Sequence, residues 1–260
     1  MSYPCDGLPG MENSRYLECL AADFGRLRTV AQLDPAGAVP TCPGWTVADL
    51  TRHVGEVYLH KTLAIRDGAE PAQWPPAELA AEEPLSLLDR GYAELRHELE
   101  SHAPTDRAGS WYAPDQTVGF WIRRMAQETV VHRIDAELGA GQPVAPIPDD
   151  LAVDGVDELL KVFVAYSVGE WSEAFKTTLD PSPGRLFAVH TDGAAWRVRT
   201  GPATFAVEDG DAPDAEVTIS GPPAELLRWV WHRQVGAEVT VAGAPEALAE
   251  LHSCITIATQ

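Results

Sequence analysis

The sequence predicts a two-domain α+β protein, an N-terminal four-helix bundle followed by a small α+β domain. Three observations carry this. Four segments in the N-terminal half repeat apolar residues at spacings of three and four, the period of one helix face. Their connections are fairly short, as in antiparallel bundles. Beyond Pro183 the pattern changes to short alternating or β-branched runs separated by Asp-Gly and Gly-Pro turns, which read as strands.

In the first helix, over residues 14–33, Leu17, Leu20, Ala21, Phe24, Leu27 and Val30 share a face. The proline-rich run AVPTCPGW ends it. Thr46, with Asp49 three residues later, then forms a variant capping box at the head of a second helix that runs to near Gly68. Pro71, Pro75 and Pro76 punctuate a loop before LSLLDRGYAELRHELESH, the third helix, which Pro104 stops. The fourth helix lies over residues 118–138 of TVGFWIRRMAQETVVHRIDAELGAG, with glycines at its end. A helical segment over residues 151–175 is expected to link the two halves.

In the C-terminal half, RLFAVHT, AWRVRT, ATFAVED and AEVTIS read as four strands of a meander. GPPAELLRWVWHR reads as a helix with prolines in its first turn, EVTVAG as a fifth strand and PEALAELHSCI as a last helix. The expected division is a helical bundle over residues 11–145, a linking helix over 146–182 and an α+β domain over 183–260.

Composition excludes more than it identifies. The chain has 260 residues, 45% hydrophobic and 22% charged, the ordinary range of a globular protein. With 19 Lys and Arg against 39 Asp and Glu, the net charge of -20 repels phosphate backbones and anionic lipid surfaces. Neither nucleic acid nor a membrane is an expected partner. Cys5, Cys19, Cys42 and Cys254 form no C-x-x-C pair and no spacing of a zinc ribbon or secreted disulfide frame, so a reducing cytoplasm is expected. No basic segment followed by an apolar stretch opens the chain, and residues 1–10 read as a loose leader; whether Met1 or Met11 is the natural start stays open.

Chemistry concentrates on three residues. Glu128 and His132 are four apart on the fourth helix, so their side chains lie one turn apart on one face and can share an ion. His53 on the second helix supplies a third ligand if the two helices pack side by side. Two imidazoles and a carboxylate suit zinc, nickel or iron(II), with zinc the default on availability, and three protein ligands leave a position for water or substrate. By spacing alone the competing reading is a surface Glu-His pair on a solvated helix. A rival set of His53, Glu56 and His60 fails on geometry, because seven residues rise about 10.5 Å along a helix.

No nucleophile elbow, phosphate loop or dinucleotide-binding glycine pattern is present. Cys42 reads as an inert thiol and Trp229 and Trp231 as core residues, while Asp135 is placed to orient an imidazole.

Two stretches carry a family resemblance. TCPGWTVADLTRHVGEV and AQETVVHRIDAELGAG are similar to the signatures of the mycothiol-dependent maleylpyruvate isomerase family. DGAAWRV, VTISGPPAELLRWVWHR and VTVAG extend the likeness through the C-terminal half. The resemblance implies a DinB-like bundle holding a metal on His53, Glu128 and His132, and a sterol-carrier-like α+β domain. It also implies a catalytic arginine in the C-terminal half, for which Arg228 and Arg233 are alternatives. The implied activity is a metal-dependent enzyme, zinc by default, that activates the thiol mycothiol. The thiol then adds to a small electrophilic substrate, by S-transfer or with isomerisation. A non-catalytic metal-dependent binding or regulatory module is the alternative.

Overall fold

The computed structural model describes residues 11–233 and 238–259. The leader reading and Cys5 fall outside the described residues. The chain forms two compact units, one of residues Glu12–Pro146 and one from Ile147 onward.

The first unit is the expected bundle. Its helices are α1 (Asn13–Ala31), α2 (Val47–Asp67), α3 (Pro84–Ser101) and α4 (Val118–Gly139), with a 3₁₀ turn at Ala77–Ala81. α2 packs on α3 and α1 on α4, while α2 also touches α4. The α2–α3 crossing is close because it is built on glycines. A Cβ on Gly55 would sit 2.9 Å from the Leu87 backbone, and one on Gly91 would sit 2.7 Å from the Gly55 carbonyl oxygen.

α4 is the central helix, buried on nearly every side, with Trp121, Met125, Val130 and Ile134 in the core. Burial all round lets α4 carry buried charge only where that charge is paired. Arg133 donates to Asp23 of α1 at 3.0 Å and to Glu137 at 2.8 Å, and Arg26 reaches Glu137 from α1 at 2.7 Å.

The second unit holds α5 (Asp149–Glu158), a π-helical segment Leu159–Ala165, α6 (Tyr166–Glu170), α7 (Ser172–Leu179), α8 (Pro223–Val230) and α9 (Pro245–Ala258). With these helices goes a five-stranded sheet of β1 (Arg185–Thr191), β2 (Ala194–Gly201), β3 (Thr204–Asp209), β4 (Val217–Ser220) and β5 (Thr240–Gly243). Phe187, Trp196, Val198, Val217 and Ile219 form the buried part of the sheet. The α+β class is therefore as the sequence predicts.

Two details differ from expectation. The helix expected over residues 151–175 breaks at Trp171, whose backbone (φ -124°, ψ 45°) leaves the helical region, so α6 and α7 are separate. The four-strand meander is also corrected. The sheet order is β3-β2-β1-β4-β5, and β4 pairs with β1 in parallel, Val217 opposite Phe187. Only β1 to β3 form a meander. The connection over residues 210–216 passes across β2 and β1, and its length exceeds the two to five residues usual for a hairpin loop.

Candidate metal centre

The loop that leads into α2 fixes the first side chain. Within AVPTCPGW, Val39 N–H donates to the Trp45 carbonyl at 2.9 Å and Trp45 N–H to the Cys42 carbonyl at 3.0 Å. Gly44 sits at φ 86°, a left-handed conformation that favours glycine. Thr46 then caps the helix as expected. Its hydroxyl accepts from the Asp49 N–H at 3.2 Å, and Asp49 accepts from the Thr46 N–H at 2.9 Å. From that fixed start, His53 stands two turns into α2 on the side facing α4.

A hydrogen bond further along locks the two helices together. Thr129 donates its hydroxyl proton to the Met125 carbonyl at 2.7 Å, so in its 2.7 Å contact with Tyr58 the tyrosine is the donor. Tyr58 is five residues beyond His53 and Thr129 is next to Glu128. The register of α2 on α4 is thus set beside the cluster.

The three sequence-selected residues come together. One ligand atom from each of His53, Glu128 and His132 lies within 4.8 Å of the others, the one such group of three among the described residues. Glu128 Oε1 is 3.2 Å from His132 Nε2 and 3.8 Å from His53 Nε2. These separations bracket the roughly 3.4 Å edge of a tetrahedral site with bonds of about 2.1 Å. Side-chain exposure falls from 36% at His53 through 18% at Glu128 to 12% at His132, so the cluster opens on its His53 side. It is a candidate divalent-metal site.

Neighbouring groups orient two of the three. Asp135 Oδ2 lies 2.9 Å from His132 Nδ1, and Thr41 donates to Asp135 Oδ1 at 2.5 Å. A proton on Nδ1 leaves Nε2 directed into the cluster. Arg124, buried in α4, donates to Glu128 Oε2 at 2.6 Å. Only Oε1 then faces the histidines.

The electrostatics follow from this packing. Burial works against the charge on Glu128, but His132, His53 and Arg124 outweigh it and hold the carboxyl well below its usual pKa. Burial likewise opposes protonation of His132, yet Glu128 and Asp135 raise it to about 9. A cation entering the cluster replaces a proton that these carboxylates already favour.

Asp135 was legible in the sequence, three residues beyond His132. Arg124 and Thr41 were not read. Arg124 carried a usable signal, its position four residues before Glu128, where a helix brings opposite charges together. Arg228 and Arg233 lie in and just after α8. Arg228 is buried and pairs with Glu225 at 2.7 Å, and the Arg233 guanidinium lies 5.7 Å from the Trp231 ring.

With the geometry described, comparison with known proteins adds the lineage. Residues 17–137 match the mycothiol maleylpyruvate isomerase N-terminal domain, and residues 150–250 match the C-terminal domain of the same family. The chain belongs to the mycothiol-dependent maleylpyruvate isomerase family. It is similar in fold to a crystal structure of the mycothiol-dependent maleylpyruvate isomerase, with 16% sequence identity and a TM-score of 0.62, over 91% of this chain and 96% of that one. A histidine-to-alanine mutant of that isomerase matches equally, with 16% identity and a TM-score of 0.63 over the same shares. No curated protein matches the sequence. The four-helix bundle and the mixed α+β domain with its five-stranded sheet coincide with the two matched family domains. No described helix is long and apolar enough to cross a membrane.

Proposed function

We propose that this protein is a metal-dependent enzyme that activates mycothiol for transfer to, or isomerisation of, a small electrophilic substrate. The observation that carries the reading is the convergence of His53, Glu128 and His132, with their ligand atoms within 4.8 Å. Membership of the mycothiol-dependent maleylpyruvate isomerase family supports the choice of thiol. We assign His53, Glu128 and His132 as ligands of a divalent cation, zinc by default for two imidazoles and a carboxylate.

When bound, such a cation lowers the pKa of a coordinated thiol. The chain's own residues prepare the place. Asp135, anchored by Thr41, keeps His132 Nε2 directed into the cluster, and Arg124 holds Glu128 Oε2 so that one oxygen remains to ligate. Three side chains leave a position for an outside ligand, whereas a structural zinc is normally closed by four. The thiol, once ionised, adds through sulfur to an electrophilic carbon, and the adduct either retains the sulfur or expels it after bond rotation. Arg228 and Arg233 remain the alternatives for a catalytic arginine.

The test is to incubate the zinc-loaded protein with mycothiol and candidate electrophiles and to follow free thiol and product by mass spectrometry. Catalytic loss of thiol with a new thioether, or cis-to-trans conversion that requires mycothiol, is the expected result. Thiol binding without turnover of any electrophile favours the alternative, a non-catalytic metal-dependent binding module.

A further inference from the structure

We propose that His232 and His252 form a second cation site, in the C-terminal unit, that takes a divalent transition-metal ion and holds copper(II) most tightly. The site is separate from the bundle cluster and does not depend on the thiol-activating reading above.

Local structure brings the two rings together. The chain leaves α8 through Trp231 and His232, and His232 adopts a left-handed backbone (φ 57°), uncommon for a residue other than glycine. That turn sets the His232 ring against α9, its Nε2 3.4 Å from the Thr256 hydroxyl. Thr256 and His252 are four apart on α9, so they share the face that meets His232. The two imidazole centroids are 5.5 Å apart with their planes at 80°. Rings bound to one ion through bonds of about 2.1 Å stand roughly 5 to 5.6 Å apart at angles from tetrahedral to trigonal. The bundle cluster shows the same arrangement, with the His53 and His132 rings 5.1 Å apart and also at 80°.

A second observation points to a ligand. His252 Nε2 is buried and has no hydrogen-bond partner among the described residues. Trp229 backs that ring, with centroids 4.8 Å apart. A nitrogen withdrawn from water and left unpaired is unfavourable, and a cation on its lone pair removes the penalty. Burial holds both rings below their usual pKa, helped by Arg233 at His232 and by His232 at His252, so protons do not compete for the lone pairs at neutral pH. No third His, Cys, Asp or Glu joins the pair among the described residues. His232 is exposed, so water can complete the coordination. Nitrogen donors of this kind bind copper(II) more tightly than nickel(II) or zinc.

The test adds one equivalent of copper(II) to the full-length protein with zinc already at the bundle, and measures copper affinity by competition with glycine alongside the zinc released. Copper should bind while zinc, held by three side chains in the bundle, is retained. His232→Asn, which suits a left-handed backbone, and His252→Gln should each weaken copper by about tenfold or more, since losing a ligand costs at least as much as losing a group that orients one. Zinc content should be unchanged in both variants. No copper uptake, uptake only with an equal release of zinc, or full copper affinity in His232→Asn would overturn the second site.

Discussion

Asp135 Oδ2 lies 2.9 Å from the Nδ1 of His132, on the ring edge opposite the nitrogen that faces Glu128. A carboxylate in that place fixes the tautomer and raises the basicity of the ligating nitrogen, and its loss typically costs 10- to 100-fold in metal affinity, about 1.4 to 2.7 kcal/mol. Asp135→Asn should therefore weaken zinc binding by about that factor, read by chelator competition, with helix content unchanged. Unaltered affinity would remove Asp135 from the account.

The metal affinity should depend on pH with a definite sign. In the metal-free protein His132 titrates at about 9, so below that pH its imidazole must release a proton before Nε2 can ligate. Affinity should rise with pH by about tenfold per unit below that value and level off above it. Zinc titrations in buffers across this range check the slope, and a flat profile from neutral pH upward would contradict it.

Much of the bundle and all three proposed ligands were legible because their signals are local. Glu128 and His132 share a face through a four-residue spacing, and the Thr46 and Asp49 cap marks where α2 begins. What pairs across space left less trace. Arg124 and Arg133 sit in a run that reads as an amphipathic helix with a polar face, yet tertiary packing buries both and neutralises them with Glu128, Asp23 and Glu137. The crossover that puts β4 beside β1 was hidden for a similar reason, since strand alternation is the same in a meander and in a parallel pair. Only the length of the loop over residues 210–216 distinguished them.

The buried network around Arg133 gives a stability prediction independent of the metal. Arg133 and Glu137 have fully buried side chains, and Asp23 is nearly so. Arg133→Ala leaves the carboxylates of Asp23 and Glu137 short of a partner and should destabilise the protein by about 3 to 5 kcal/mol, measured by urea unfolding. A loss below about 1 kcal/mol would place this site with ordinary surface positions.

We also propose that the metal site belongs wholly to the N-terminal unit. A fragment ending at Pro146 should then bind zinc as the whole chain does while losing most thiol-dependent turnover. If the folded fragment takes up no zinc although the intact chain does, the ligand assignment is incomplete.

The most direct measurement compares the parent with His132→Ala on the same preparations, recording zinc content, thermal unfolding and mycothiol consumption. His132 offers one ligand atom at the edge of the bundle interior, so the variant should stay folded, lose zinc and stop consuming thiol. A folded, zinc-free His132→Ala protein that consumes mycothiol at the parent rate would contradict the proposed function.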